Sequence, residues 1–178
     1  MIGIADRLRL GDLAWLAPAA FENSWYPNRF MEPLVANQPM LDHALESVHT
    51  LVTGLGADGF SPDRIVLLGF SQGACLVAEY AVRNARRYAG IVAFTGGLIG
   101  PPGSTWNFGG SFEGTPAFLG TSDVDEWVPA SRVLETEKIL SARGARVELE
   151  VYPRMEHVVC DDEIRRARKL ISGAAPRR

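Results

Sequence analysis

An α/β architecture, with a mostly parallel central sheet flanked by helices, follows from three features of this sequence. Short apolar runs alternate with longer amphipathic stretches along the chain. Ile65-Val66-Leu67-Leu68 is continuously apolar, as in a strand covered on both faces of a parallel sheet. The repeated order strand–helix–strand implies crossover connections, and it directs any ligand to the carboxyl ends of the strands.

Leu13–Ala17 reads as a first strand, followed by a loop carrying Pro18, Asn23, Pro27, Asn28 and Pro33. From Pro39 to Leu55 the apolar positions Leu41, Leu45, Val48, Val52 and Leu55 recur at three- and four-residue steps, one face of a helix that Gly54 and Gly56 end. Ser61-Pro62-Asp63 is a turn into the strand Ile65–Leu68. Gln72 to about Arg86 reads as a helix, Gly90–Phe94 and Pro116–Gly120 as strands, and Pro129–Arg143 as a helix with proline near its first turn. Arg146–Tyr152 is a strand and Asp161–Ile171 a closing helix. The glycine- and proline-rich stretch Gly96–Gly114 is too long for a tight turn and is expected to be a surface loop.

The 178 residues suit one domain, residues 1–178. Apolar residues make up 47% and charged residues 22%, which excludes a disordered or collagen-like chain. A net charge of -3 removes any general electrostatic case for nucleic acid as a partner. Two cysteines, Cys75 and Cys160, are too few for a disulfide scaffold, and three scattered histidines make no zinc spacing, so no metal is expected. No glycine-rich dinucleotide or phosphate motif calls for a cofactor. No apolar run is long enough for stable membrane insertion and no signal peptide opens the chain, so a soluble, cytoplasmic protein is expected. The Arg165, Arg166, Arg168 and Lys169 group reads as the solvated face of the last helix.

Chemistry enters at Gly69-Phe70-Ser71-Gln72-Gly73, a G-x-S-x-G placed between an apolar strand and an alanine-rich helix. A serine there occupies a strained strand-to-helix turn with its hydroxyl raised above the sheet. Both flanking glycines are expected to be needed because a side chain would collide with a neighbouring element. The backbone N–H of Gln72 would face a developing oxyanion. A serine hydroxyl needs a base. His43 and His49 lie in the amphipathic helix upstream, whereas His157 follows the last strand and reaches the same rim as Ser71. The acid belongs between them in the chain, where Asp123 and Asp125 follow the strand that starts at Pro116; spacing leaves both open.

Arg64–Ala74, Asp125-Glu126-Trp127-Val128-Pro129 and the loop around His157 together resemble the α/β-hydrolases of the phospholipase/carboxylesterase group, which includes acyl-protein thioesterases. Asn23–Pro27 and Gly96-Gly97-Leu98-Ile99 resemble one bacterial branch of it. The resemblance runs from about Leu13 to Leu170. It implies Ser71 as nucleophile, His157 as general base and Asp125 as the orienting acid, because the group's pattern is Asp-x-x-Val-Pro. Glu126 stands where the group has proline, and Glu156 where it has glycine. Met1–Leu10 resembles the helix after a His-Gly loop that, in this group, supplies the second oxyanion donor. The fold is therefore expected to be shortened at its N-terminal side, without that loop and the strand feeding it.

Such an edge would be repaired by another chain's strand, by Met1–Ile4, or by a donor from the Trp25–Tyr26 loop, and it favours a homo-oligomer. Trp25, Tyr26, Leu98 and Ile99 are the expected substrate contacts, with Trp106 and Phe108 as further candidates. These apolar side chains suggest an acyl pocket. The expected function is a serine carboxylesterase acting on small-molecule acyl esters of short to medium chain, thioesters and lysophospholipids falling within the same chemistry. The alternative is a catalytically impaired or inactive relative with a binding role, since one missing oxyanion donor costs roughly 10²–10³ in turnover.

Overall fold

The computed structural model describes residues 2–11 and 13–174. Its helices are α1 (Ile2–Leu8), α2 (Met40–Ala57), α3 (Gln72–Arg83), α4 (Ala130–Ala142) and α5 (Asp161–Ala174). The strands β1 (Val66–Phe70), β2 (Gly90–Phe94), β3 (Pro116–Ser122) and β4 (Arg146–Tyr152) pair in chain order, all parallel. β2 is buried along its whole length, which is why its sequence is apolar throughout rather than alternating.

Side-chain alternation divides the core into two layers. On one face Leu67, Ile91, Ala93, Ala117 and Leu119 meet Leu41, Leu45 and Val52 of α2, the small residues of α3, and Val133 and Leu140 of α4. On the other, Val92, Phe94 and Phe118 meet Ile4 and Leu8 of α1 and Ile164, Ala167 and Ile171 of α5. The three- and four-residue spacing of the α5 residues turns its basic side chains outward. Arg166 there pairs with Asp162, Glu148 and Glu150, and Arg168 donates to the carbonyls of Arg7 and Leu8, tying α5 to β4 and α1.

Two expectations are corrected. Leu13–Ala17 forms no strand; residues 13–20 are irregular and largely exposed. A strand exists only where its backbone groups find a neighbour, and among the described residues no strand lies outside β1 to receive this one. Gly96–Gly114 is not wholly superficial either. Residues 96–100 are buried and lashed down by two charged side chains. Glu79 of α3 accepts from the Ile99 amide at 3.1 Å and the Trp106 indole at 3.0 Å, and Arg132 of α4 donates to the carbonyls of Leu98 and Gly100 at 2.7 Å each. Met1, the first residue of the segment expected to fill the edge, lies outside the described residues; Ile2–Ile4 belong to α1. Among the described residues no helix is long and apolar enough to cross a membrane.

Candidate active site

The site lies where β1, β3 and β4 end. Ser71 sits between β1 and α3 with φ 54° and ψ −123°, a left-handed geometry that costs a non-glycine residue on the order of 1–3 kcal/mol. Gly69 makes the turn possible: a Cβ there would overlap the carbonyl of Gly73. Gly73, expected to need its missing side chain for the same reason, does not; a Cβ at that position meets open space. The carbonyl of Ser71 accepts from the amides of Ala74 and Cys75 and so starts the helix. Gln72, as the first residue of α3, keeps its own N–H outside the helical ladder.

The loop from β4 to α5 carries His157. Its Nε2 lies 2.8 Å from Ser71 Oγ and its Nδ1 2.7 Å from Asp125 Oδ2. The ring lies over Phe70, centroids 5.1 Å apart. The Asp125 side chain is fully buried. Its other oxygen accepts from the amides of Trp127 at 2.8 Å and Val128 at 2.7 Å, so the carboxylate is held by the turn it belongs to and aimed at the imidazole by its free oxygen. Asp123 does something else: its Oδ1 accepts from the Arg154 amide at 2.6 Å and fastens the histidine loop to the end of β3. Glu156 has no positive φ, so the backbone does not demand the glycine that the family pattern has there. His43 and His49 remain on α2.

Beside Ser71 is a cavity of about 260 Å³ lined by Ser24, Tyr26, Pro27 through Phe30, Gln72, Cys75, Trp127 and Val128. Of the expected contacts, Tyr26 lines it and Trp25 does not. Leu98 and Ile99 are corrected outright: they are buried in the core under the Glu79 and Arg132 anchors, at 0% and 1% exposure. Trp106 is buried against the same anchors, and Phe108 lies beneath the Arg83 guanidinium. Apolar residues in a loop after a strand fill a core as readily as a pocket, and only tertiary packing separates the two.

Two cavity features were not visible in the sequence, the Gln72 side chain and the pairing of Trp127 with Arg29. The Gln72 side chain buckles the cavity wall onto α3, accepting from the Trp25 amide at 2.9 Å and donating to the Tyr26 carbonyl at 2.8 Å. That bond also commits the Trp25 N–H, so it is not the spare oxyanion donor expected of this loop. Trp127 and Arg29 stack where both line the cavity, the guanidinium carbon 5.3 Å from the indole centre. Cys75, the other potential nucleophile on the cavity, is buried, and burial pushes its thiol up to about 12. It stays protonated near neutral pH.

A family model described as phospholipase/carboxylesterase matches residues 18–174. Acyl-protein thioesterase 1 of Saccharomyces cerevisiae is 30% identical over 124 residues, 68% of this chain and 55% of that protein. A probable carboxylesterase SOBER1-like of Arabidopsis thaliana is 24% identical over 165 residues, 84% of this chain and 63% of that protein. The chain thus spans between half and two thirds of these curated relatives' length. A crystal structure of a phospholipase/carboxylesterase from Dyadobacter fermentans superposes with TM-score 0.92 at 46% identity, covering 96% of this chain and 82% of that one. The structure of Arabidopsis thaliana SOBER1 shares the fold, with TM-score 0.78 at 19% identity over 96% and 90% of the two chains. Helices α2 to α5, the parallel sheet and the loops at its rim all fall within the family match, and the chain belongs to the phospholipase/carboxylesterase family of α/β-hydrolases.

Proposed function

We propose that the protein is a serine carboxylesterase that hydrolyses small acyl esters through an acyl-enzyme. One observation carries the reading: Ser71 Oγ, both nitrogens of His157 and Asp125 Oδ2 form one hydrogen-bonded line, with contacts of 2.8 Å and 2.7 Å. In it, His157 Nε2 takes the proton of Ser71 Oγ as that oxygen bonds to the ester carbonyl carbon. Asp125, accepting from Nδ1–H, fixes the tautomer and stabilises the imidazolium. The carbonyl oxygen gains the negative charge and meets the free amide of Gln72. The imidazolium then returns its proton to the departing alkoxide, and water deacylates Ser71 with the same base.

The cavity sets the scale of the substrate. At about 260 Å³ it lies just below the range of about 300–1,000 Å³ usual for drug-sized ligands, which favours a short acyl group. Thioesters fit the same sequence of steps, since a thiolate is a better leaving group than an alkoxide. A cytoplasmic setting suits the two unpaired cysteines, Cys75 and Cys160.

The test is hydrolysis of p-nitrophenyl acetate or butyrate by the wild type and by Ser71→Ala. The wild type should turn these esters over well above background and Ser71→Ala should not. A fluorophosphonate probe should label Ser71 alone. Equal rates for the two proteins, or labelling elsewhere, would remove the reading.

A further inference from the structure

The cavity beside Ser71 holds one ionised side chain among its lining residues, Arg29. The rest of the lining is neutral: Ser24, Tyr26, Asn28 and Gln72 are polar, while Phe30, Trp127 and Val128 are apolar. Arg29 is exposed, and two contacts hold its guanidinium at the cavity mouth. One of its nitrogens, Nη2, donates to the Glu126 carbonyl at 3.0 Å, and its Cζ lies over the Trp127 ring, 5.3 Å from the ring centre. Both partners belong to the segment that carries Asp125, so the charge is fastened to the element that holds the acid of the site.

Among the described residues no carboxylate lies within ion-pairing distance of Arg29, unlike Arg7, Arg83, Arg132, Arg165 and Arg166. The Asp125 carboxylate is committed to His157 and to two amides. A guanidinium carries five N–H donors in a fixed fork. The Glu126 carbonyl takes one of them, and four remain on Nε, Nη1 and Nη2, enough for two oxygens of a carboxylate or phosphate to be held in bidentate fashion.

We infer that Arg29 is a specificity-determining residue that selects esters carrying an anionic group, a carboxylate or a phosphate, a few bonds from the scissile carbonyl. This rests on the esterase reading above and narrows its substrate class. The small volume and the single charge act together. A short neutral acyl group leaves the guanidinium solvated but unpaired, whereas a short acyl or alcohol portion ending in an anion places that anion on Arg29 while the carbonyl remains at Ser71. Charge-assisted hydrogen bonds of this kind are about twice as strong as neutral ones.

The experiment compares matched esters by pH-stat. Monomethyl glutarate against methyl pentanoate puts the charge on the acyl side, and carboxymethyl butyrate against ethyl butyrate puts it on the alcohol side. For each pair the quantity read is the anionic-to-neutral ratio of kcat/KM within one protein. The wild type should favour the anionic member of at least one pair, Arg29→Gln should lower that ratio by about tenfold or more, and Arg29→Lys should restore part of it. A role confined to holding Trp127 in place would change both members of a pair equally and leave the ratio unmoved, which would overturn the inference. So would a wild type that prefers the neutral member of both pairs. Binding of monomethyl glutarate to Ser71→Ala, by calorimetry, supplies a readout free of catalysis. Affinity lost in Ser71→Ala/Arg29→Gln supports the anion site even if no ester is turned over, whereas equal affinity in the two removes it. Failure of neutral ester hydrolysis, by contrast, bears on the esterase reading alone.

Discussion

Asp123 and Asp125 are two carboxylates with one residue between them, and their environments separate their roles. Asp125 is buried, with one oxygen held by the Trp127 and Val128 amides and the other on His157. Asp123 holds a backbone amide of the histidine loop. Asparagine at 125 could still accept from the two amides through its carbonyl, but its NH₂ cannot accept from Nδ1–H, and the imidazole would be held in the wrong tautomer. Asp125→Asn should therefore lower kcat on a neutral ester by roughly 10⁴-fold. Asp123→Asn keeps an acceptor for the Arg154 amide and should cost about tenfold at most, on the order of one neutral hydrogen bond. Steady-state kinetics of both variants decides it, and the reverse ranking would reassign the acid. At this scale the serine and histidine were legible because residue type, chain order and neighbouring elements all agree on them. The choice between the aspartates rested on a family pattern, since spacing cannot tell which carboxylate a turn will rotate inward. Arg29 was not legible at all, because nothing local distinguishes a loop arginine in water from one fastened over an indole.

The start of α5 shows how an element is fixed by one buried acid. Glu163 accepts from the Cys160 amide at 2.8 Å, satisfying the donor that precedes the helix, while its other oxygen is buried without a partner. It fills the space left by Gly120 of β3, where a Cβ would strike the carboxyl group. Burial pushes Glu163 up to about 7 from its ordinary 4.5, against the pull of the Cys160 amide and Arg7. The folded state thus holds this proton more tightly than the unfolded chain between pH 4.5 and about 7. Unfolding free energy from this group falls as pH rises through that window and levels off above it, by about 3 kcal/mol in all. Glu163→Gln keeps an acceptor for Cys160 and removes the titration, so the variant should gain on the wild type across the window. Denaturant unfolding at pH 5, 6, 7 and 8 measures the difference, and a constant offset between the two proteins would exclude Glu163 as its source. Elements such as α5 and β2 were readable because their own side chains carry the period of the structure they join. Leu13–Ala17 misled for the opposite reason, since a strand is a property of two segments and pattern describes one.

For the molecule as a whole, the open side of β1 decides how the sheet meets its surroundings. The Ser71 amide bonds to the Phe94 carbonyl of β2. Alternation along a strand therefore turns the amides of Leu67 and Gly69 toward β2 and those of Leu68 and Phe70 away from it. Among the described residues no strand receives them, because β1 ends the sheet. An edge of this kind pairs with another chain unless it is blunted by charge, proline or a bulge, and Val66-Leu67-Leu68-Gly69-Phe70 contains no charge and no proline. The protein should accordingly self-associate. Its weight-average mass by sedimentation equilibrium should climb with concentration, and the amides should report where pairing occurs. Leu68 and Phe70 should exchange hydrogen quickly in dilute solution and slow on concentration, while Leu67 and Gly69 stay protected throughout. Uniform protection at every concentration with a constant monomer mass would mean that the edge is covered within the chain itself. Because Ser71 and Gln72 follow β1 directly, pairing at this edge would also set how exposed the oxyanion side of the site is to water, and turnover per chain would then depend on protein concentration in the same range.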